Sequence, residues 1–226
     1  MILKLIIHTF LTLLIMAFFL FIPVGTLNWP SAWIFLLLQG GFGLTIGFWL
    51  AKHDPELLKE RLSFVIQRGQ KKWDKLVMIL FSILQITWLP FIAFDVARSQ
   101  TDMIPFLVKV LAAILIIIGF SIFYLVFKEN TYASPVVKIQ KVREHKIVTT
   151  GPYRYVRHPM YSGATLYFLG IPLLLGSWYG LFFTFFLTIL LIIRAMLEEK
   201  ALTEEFSNSY KEYVQRVHYR FIPFIY

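Results

Sequence analysis

The sequence predicts an all-α integral membrane protein, a bundle of about six transmembrane helices with a polar cytoplasmic loop and a C-terminal helix. Three observations lead there. Of 226 residues, 58% are hydrophobic and only 15% charged, with mean hydropathy +0.69; a soluble domain is about half apolar and about a quarter charged. The charges are clustered, and the gaps between clusters approach the roughly 20 residues of helix that cross a bilayer. Nearly all Lys and Arg fall in alternate loops, as cytoplasmic segments require.

The chain has no cysteine, which removes disulfides, thiol catalysis and cysteine metal sites together. A net charge of +9 in a soluble protein would suggest nucleic acid. Here the bias of cytoplasmic loops toward Lys and Arg accounts for it, and no nucleic-acid partner is expected. Membrane lipids are the expected surroundings.

Residues 1–22 form the first span, with Lys4 ahead of an apolar run to Ile22. A signal peptide also begins with a positive charge and an apolar core, but this core is too long for one and no small-residue cleavage site follows it, so an anchor is expected. The second span runs about 31–51, where Gly40, Gly41, Gly43 and Gly47 make a face another helix can approach closely. Residues 52–75 are a charged loop with seven basic and four acidic side chains. Within it, Asp54-Pro55-Glu56 reads as a helix start: a capping Asp, Pro at the first position, an acid in the first turn. Leu57, Leu58, Leu62 and Val65 give that helix an apolar side, expected to lie on the membrane, with a substrate gate as the alternative.

The third span runs about 76–97, with Pro90 inside it and Asp95 toward its far end. The fourth runs about 105–127, and Lys109 near its start is long enough to reach the interface. A second charged loop, 128–160, has seven basic and two acidic residues. The fifth span, about 161–176, is short and contains Gly163, Gly170 and Pro172. It must stand nearly untilted or pack inside the bundle. The sixth runs about 179–197. Beyond it Phe206, Tyr210, Tyr213, Val214 and Val217 recur at three- and four-residue spacing, so an amphipathic helix continues from the span. Residues 221–226 are expected to cover an apolar surface. With both termini cytoplasmic, the loops that would face outward contain only Arg98 among Lys and Arg.

Chemistry concentrates in two places. Arg194 and Glu198 are four apart and share a helix face at the cytoplasmic end of the sixth span. They are either a functional pair or an ion pair that ends the span; Glu199 points elsewhere on the helix. The second place is the stretch 145–161, HKIVTTGPYRYVRHPMY, where Gly151-Pro152 and His158-Pro159 force an irregular backbone. His158 stands at the mouth of a membrane helix among Tyr153, Arg157 and Tyr161. No second histidine or carboxylate stands at metal spacing, so no metal is expected. No glycine-rich phosphate cradle or G-x-G-x-x-G occurs, so a nucleotide-like cofactor would be held differently from a soluble dinucleotide fold.

These residues carry a resemblance. H-x-x-V-x-x-G-x-Y-x-x-x-R-H-P-x-Y spans His145 to Tyr161. R-x-x-x-E-E-x-x-L followed by F-x-x-x-Y-x-x-Y spans Arg194 to Tyr213. In order and spacing they resemble the isoprenylcysteine carboxyl methyltransferases and the related phospholipid methyltransferases, over about residues 128–223. The resemblance implies a catalytic region at 128–226 following four N-terminal spans in 1–127. It implies S-adenosyl-L-methionine as cofactor, bound at the cytoplasmic face under the C-terminal helix. By position, the cofactor contacts would be His145, Lys146, Ile147, Val148, Tyr153, His158, Pro159, Met160, Tyr161 and Glu198. Arg194 matches the position associated with the substrate. A further polar contact follows a Val-Val pair in the family, for which Lys138 and Gln140 are the candidates here. Ser207 stands where the family often has Gly after Phe, and His218 where Pro is common.

The implied reaction is carboxyl O-methylation of a lipophilic, isoprenylcysteine-like acceptor, a prenylated or acylated small molecule or peptide. A carboxylate is already ionised at neutral pH, so the transfer needs alignment and exclusion of water rather than a base. Arg194 would orient the carboxylate, Glu198 would bind the cofactor, and Arg194, Glu198 and His158 are the expected catalytic set. A phospholipid N-methyltransferase is the first alternative; its amine must lose a proton, to His158 or Glu199. A sterol-type reductase using NADPH and a non-enzymatic membrane protein are the others. Spans one to four have almost no central charge, which argues against an ion path. A bacterial-type cell membrane is expected rather than endoplasmic reticulum.

Overall fold

The computed structural model describes residues 1–64, 66–99, 104–138, 143 and 146–222. Seven α-helices follow in order: α1 Ile2–Val24, α2 Pro30–His53, α3 Pro55–Arg61, α4 Lys72–Ser99, α5 Phe106–Glu129, α6 Pro159–Leu175 and α7 Gly180–Arg216. A 3-10 turn, Gly151–Arg154, precedes α6. Five of these helices, α1, α2, α4, α5 and α7, are long and apolar enough to cross a membrane. The expected all-α bundle is therefore present. The short fifth span is α6, whose 17 residues reach only ~26 Å at 1.5 Å per residue.

Helix α6 is held by close backbone approach. A Cβ on Gly119 of α5 would sit 2.7 Å from the Gly163 carbonyl oxygen, and one on Gly170 would sit 2.7 Å from that of Ala112. Only glycine permits this crossing. The glycine face of α2 packs inside the protein as well: a Cβ on Gly40 would strike Leu13, and one on Gly47 would strike Leu5, both on α1. Gly41 and Gly43 face no such obstruction. At the end of α6, Gly176 takes the left-handed cap conformation with φ 102°. Ser177 accepts from the Gly180 N–H to start α7 and donates to Asp95 at 2.6 Å.

Two expectations need correction. Asp54 does cap α3, accepting from the Leu57 N–H at 3.0 Å. The helix does not lie with its leucines in lipid, however: Leu57 and Leu58 are buried in the core of the bundle. Helix α3 packs against α2, which takes up the two adjacent leucines, and Val65 lies outside the described residues. Second, Arg194 and Glu198 do not pair with each other. Each has a different partner.

The tail follows its expected amphipathic course. Helix α7 continues to Arg216, and Tyr210, Tyr213 and Val217 bury their side chains with Phe206, Val214, Leu202 and Ile147 around them. The helix bends at Ser207, whose φ of 44° is the only positive value at a non-glycine position among the described residues. Phe221 is buried and Ile222 exposed; residues 223–226 lie outside the described set. Alternation of the spans brings the start of α1, helix α3, the polar loop and the end of α7 to one face of the bundle.

Candidate active site

The polar loop is anchored by α7 and by the returning tail. The Arg157 and His158 N–H groups donate to the Tyr219 and Arg220 carbonyls, both at 2.9 Å. Arg157 also donates to the Val217 and His218 carbonyls and, through Nε, to Glu199 at 2.7 Å. Glu199 further holds His158 Nε2 at 3.3 Å and Arg220 Nε at 3.1 Å. Burial raises the Glu199 pKa, but the bonds and charges of His158 and Arg157 outweigh it and hold the carboxyl at about 2. Glu199 does point away from Glu198, as the helix register requires. Its function as the knot of the tail was not legible from spacing.

On the other side of His158 is a cleft of about 940 Å³, open mouth included. Its walls include Lys146, Ile147, Val148, Tyr153, His158, Pro159, Met160, Tyr161, Arg194 and Glu198. These are all the expected site residues except His145, which lies outside the described set. The ring of His158 stacks on Tyr161 at 5.3 Å, and Phe221 meets both edge-on. Tyr161 donates its hydroxyl to Glu198 Oε2 at 2.6 Å. His158 Nδ1 lies 3.9 Å from the same oxygen. Tyr153 accepts from the Asn130 amide at 2.7 Å, and its own carbonyl accepts from Tyr213 at 2.8 Å. Burial raises the Tyr153 pKa, opposed by the Asn130 bond and reinforced by the charge of Glu198. The ring stays a neutral hydroxyl at physiological pH.

Arg194 is buried at the floor. Its Nε donates to Asp74 Oδ1 at 2.8 Å and its NH2 to the Pro135 carbonyl at 2.8 Å, and its guanidinium carbon stands 5.8 Å from the Tyr161 ring centre. Asp74, from the start of α4, is fully buried. Its second oxygen accepts from Gln70 at 2.9 Å and from the Val137 N–H at 2.8 Å. In the sequence Asp74 is one of several acids in a basic loop, and nothing local marks it as the partner of a residue 120 positions away.

Several lining residues were not singled out from sequence. They include Tyr132, Ser134 and Val137 from the loop after α5; Leu202, Tyr210 and Tyr213 of α7, read from sequence only as motif and helix-face positions, line it too. The Tyr210 hydroxyl is buried and has no hydrogen-bond partner, the only such side-chain atom among the described residues. An orphaned donor in a cleft wall marks a ligand position. Lys138 also lines the cleft, but its ammonium is occupied by Glu60 at 2.6 Å and Gln67 at 2.9 Å. Gln140 is outside the described set. Among the described residues no three His, Cys, Asp or Glu side chains gather to hold a metal ion.

Comparison with known proteins fits this geometry. A family model described as phospholipid methyltransferase matches residues 107–209. A protein-S-isoprenylcysteine O-methyltransferase from Saccharomyces cerevisiae is 32% identical over 177 residues, 77% of this chain and 72% of that protein. One from Schizosaccharomyces pombe is 36% identical over 85 residues, 37% of this chain and 36% of that protein. A Delta(14)-sterol reductase from Mus musculus is 30% identical over 83 residues, 36% of this chain but only 20% of that protein. The similarity to the budding-yeast protein extends through most of both chains, whereas that to the reductase is confined to a fifth of the reductase. The chain belongs to the isoprenylcysteine carboxyl methyltransferase family of integral membrane methyltransferases.

Proposed function

We propose that this protein transfers a methyl group from S-adenosyl-L-methionine to the carboxylate of a lipophilic, isoprenylcysteine-like acceptor. The observation that supports it most is the meeting of two unlike cavities. The polar cleft adjoins an apolar cavity of about 1220 Å³, openings included, lined by α1, α2, α5 and α6 with Phe120, Phe123, Phe127 and Phe168 on its walls. Ala133 lines the cleft, and Arg61, which donates to the Ala133 carbonyl at 2.9 Å, lines the cavity. A lipid tail and a polar cofactor would thus reach one another across a single residue.

The cleft residues fit the cofactor. Glu198 keeps one carboxylate oxygen without a protein partner and Tyr210 keeps a free hydroxyl, which suit an amino group and a ribose. Tyr153, Tyr161 and Tyr213 line the cleft with aromatic rings, which would suit a sulfonium cation. When bound, the cofactor would supply an electrophilic methyl group, leaving the C–S electron pair on sulfur as the acceptor carboxylate oxygen took the methyl, and the residues that would hold it are those of the cleft wall. His158 and Tyr161 wall the cleft and position Glu198. Arg194, fixed by Asp74 and by the Pro135 carbonyl, holds the floor of the cleft in shape beside the place where the acceptor carboxylate must arrive. No proton has to move. Residues 128–226 supply the motifs and residues 1–127 supply Asp74 and Arg61, so the catalytic region draws on both parts of the chain.

The phospholipid reading has the family-model description in its favour. It has less support from the geometry, because an amine must be deprotonated. The two expected bases, His158 and Glu199, hold each other, and Glu199 also holds Arg157 and Arg220. The distribution of Lys and Arg supports a cleft and termini on the cytoplasmic side. The relatives named above are fungal and murine and lend no support to a bacterial-type membrane.

Calorimetry of the detergent-purified protein with S-adenosylmethionine and with its demethylated product, using Glu198→Ala as control, tests the cofactor. Binding abolished by the substitution is expected. Binding of NADPH in its place would overturn the reading. Radiolabelled methyl transfer to an S-prenylated N-acetylcysteine, and none to phosphatidylethanolamine, is the expected acceptor result; the reverse would select the alternative.

A further inference from the structure

Arg61 is a cation without an anion. It ends α3 at the junction of cavity and cleft, and it is partly buried. Its partners are the Ala133 carbonyl and the face of Phe127, whose ring centre lies 4.3 Å from the guanidinium carbon. No carboxylate pairs with it among the described residues. The enclosed cations around it are matched, Arg194 by Asp74, Lys138 by Glu60 and Arg143 by Asp54, while Lys146 on the cleft wall is exposed. A guanidinium has five N–H donors, and the protein accepts from one. Burial first and the positive charge of Arg194 second together lower the Arg61 pKa to about 10. Holding an uncompensated charge against apolar walls is costly, and such a residue is by default a functional one.

The cavity below it fixes what kind of anion would arrive. On α1 it extends from Leu5 to Met16, which is ~17 Å of helix. Besides Arg61 its polar side chains are His8, Thr9, Thr12, Gln39, Gln85 and Tyr167, of which Tyr167 donates to Gln39 at 2.7 Å and Thr12 to the His8 carbonyl at 2.8 Å, and the rest of the lining is apolar. A free inorganic anion gains nothing from such walls. An amphipathic acid does, with its tail among the phenylalanines and its head at the mouth.

We propose that Arg61 is the acid-recognising residue of this enzyme: it receives the carboxylate of the acceptor at the mouth of the intramembrane cavity and selects anionic acceptors over zwitterionic amines. This rests on the methyl-transfer reading. The division of labour follows from the partners: Arg194 is neutralised by Asp74 and shapes the floor, while Arg61 brings the unmatched positive charge.

The test uses the full chain in detergent and an S-prenylated N-acetylcysteine, as the free acid and as its carboxamide. Wild type, Arg61→Gln and Arg61→Lys are compared for acceptor binding, methyl transfer and S-adenosylmethionine binding. Arg61→Gln is expected to weaken binding of the acid by about ten- to a hundredfold, the loss of charge-assisted hydrogen bonds. Arg61→Lys should recover part of it. Binding of the carboxamide and of the cofactor should be unchanged in both. Equal binding of the acid by wild type and Arg61→Gln overturns the proposal, as does equal loss of acid and carboxamide, which would mean a merely structural role. Failure of the methyl-transfer reading looks different: wild type itself would then neither bind the cofactor nor methylate the acid.

Discussion

Arg194 and Asp74, 120 positions apart in the chain, are joined by a 2.8 Å bond between side chains that are 9% and 0% exposed. This pair ties the start of α4 to the last span and, through Val137 and Pro135, to the loop that walls the cleft. Removing one partner leaves the other charged and buried, which costs about 3–5 kcal/mol. Asp74→Ala is therefore expected to lower the thermal unfolding temperature sharply in detergent, and Asp74→Ala with Arg194→Met to lower it less than the single change. A double variant as destabilised as the sum of Asp74→Ala and Arg194→Met measured separately would show that the pair is not the coupled unit described.

Glu199 makes the docking of the tail pH-dependent. Its carboxyl is held at about 2 against an ordinary value of 4.5. A depressed acid stabilises the folded state fully above its unfolded pKa and loses that contribution as pH falls toward the folded value. Exchange protection factors, corrected for the intrinsic rate, at the Arg157 and His158 N–H groups that donate to the tail should thus be high and steady above pH 4.5 and fall between about 4.5 and 2. Glu199→Gln should show lower protection at neutral pH and lose the fall over that window.

Ser207 sits at φ 44° and ψ −109° in the bend of α7, a conformation that favours glycine. Backbone outliers of this kind cost roughly 1–3 kcal/mol. Ser207→Gly should raise the unfolding temperature, with a gain on the order of 1 kcal/mol, and Ser207→Val should lower it. Opposite signs in calorimetric scans would mean that the bend has another cause.

Helices α5 and α6 touch backbone to backbone at Gly119 and Gly163. A side chain at Gly119 must displace the Gly163 carbonyl or the Tyr167 backbone, neither of which yields like a flexible side chain. Gly119→Val is expected to destabilise by about 1–3 kcal/mol or more and to lower the yield of folded protein. Gly41→Val, where nothing crowds the added atoms, serves as the control and should behave as wild type.

Composition and charge placement alone determined the membrane class, the helical architecture, the short α6 and the continuation of α7 past the membrane. These follow from hydropathy and periodicity, which are local. The two motifs likewise determined most of the cleft wall, because residues one helical turn apart or on one tight loop must share a side. Only the tertiary structure decided the partners. Arg194 found Asp74 rather than Glu198, Glu199 became the knot of Arg157, His158 and Arg220, and α3 turned its leucines into the core. Arg61 and Tyr210 kept donors without partners. These outcomes depend on which charges are enclosed together after distant helices pack. A buried charge accepts whichever opposite group the fold brings within reach, and no spacing along the chain encodes that distance.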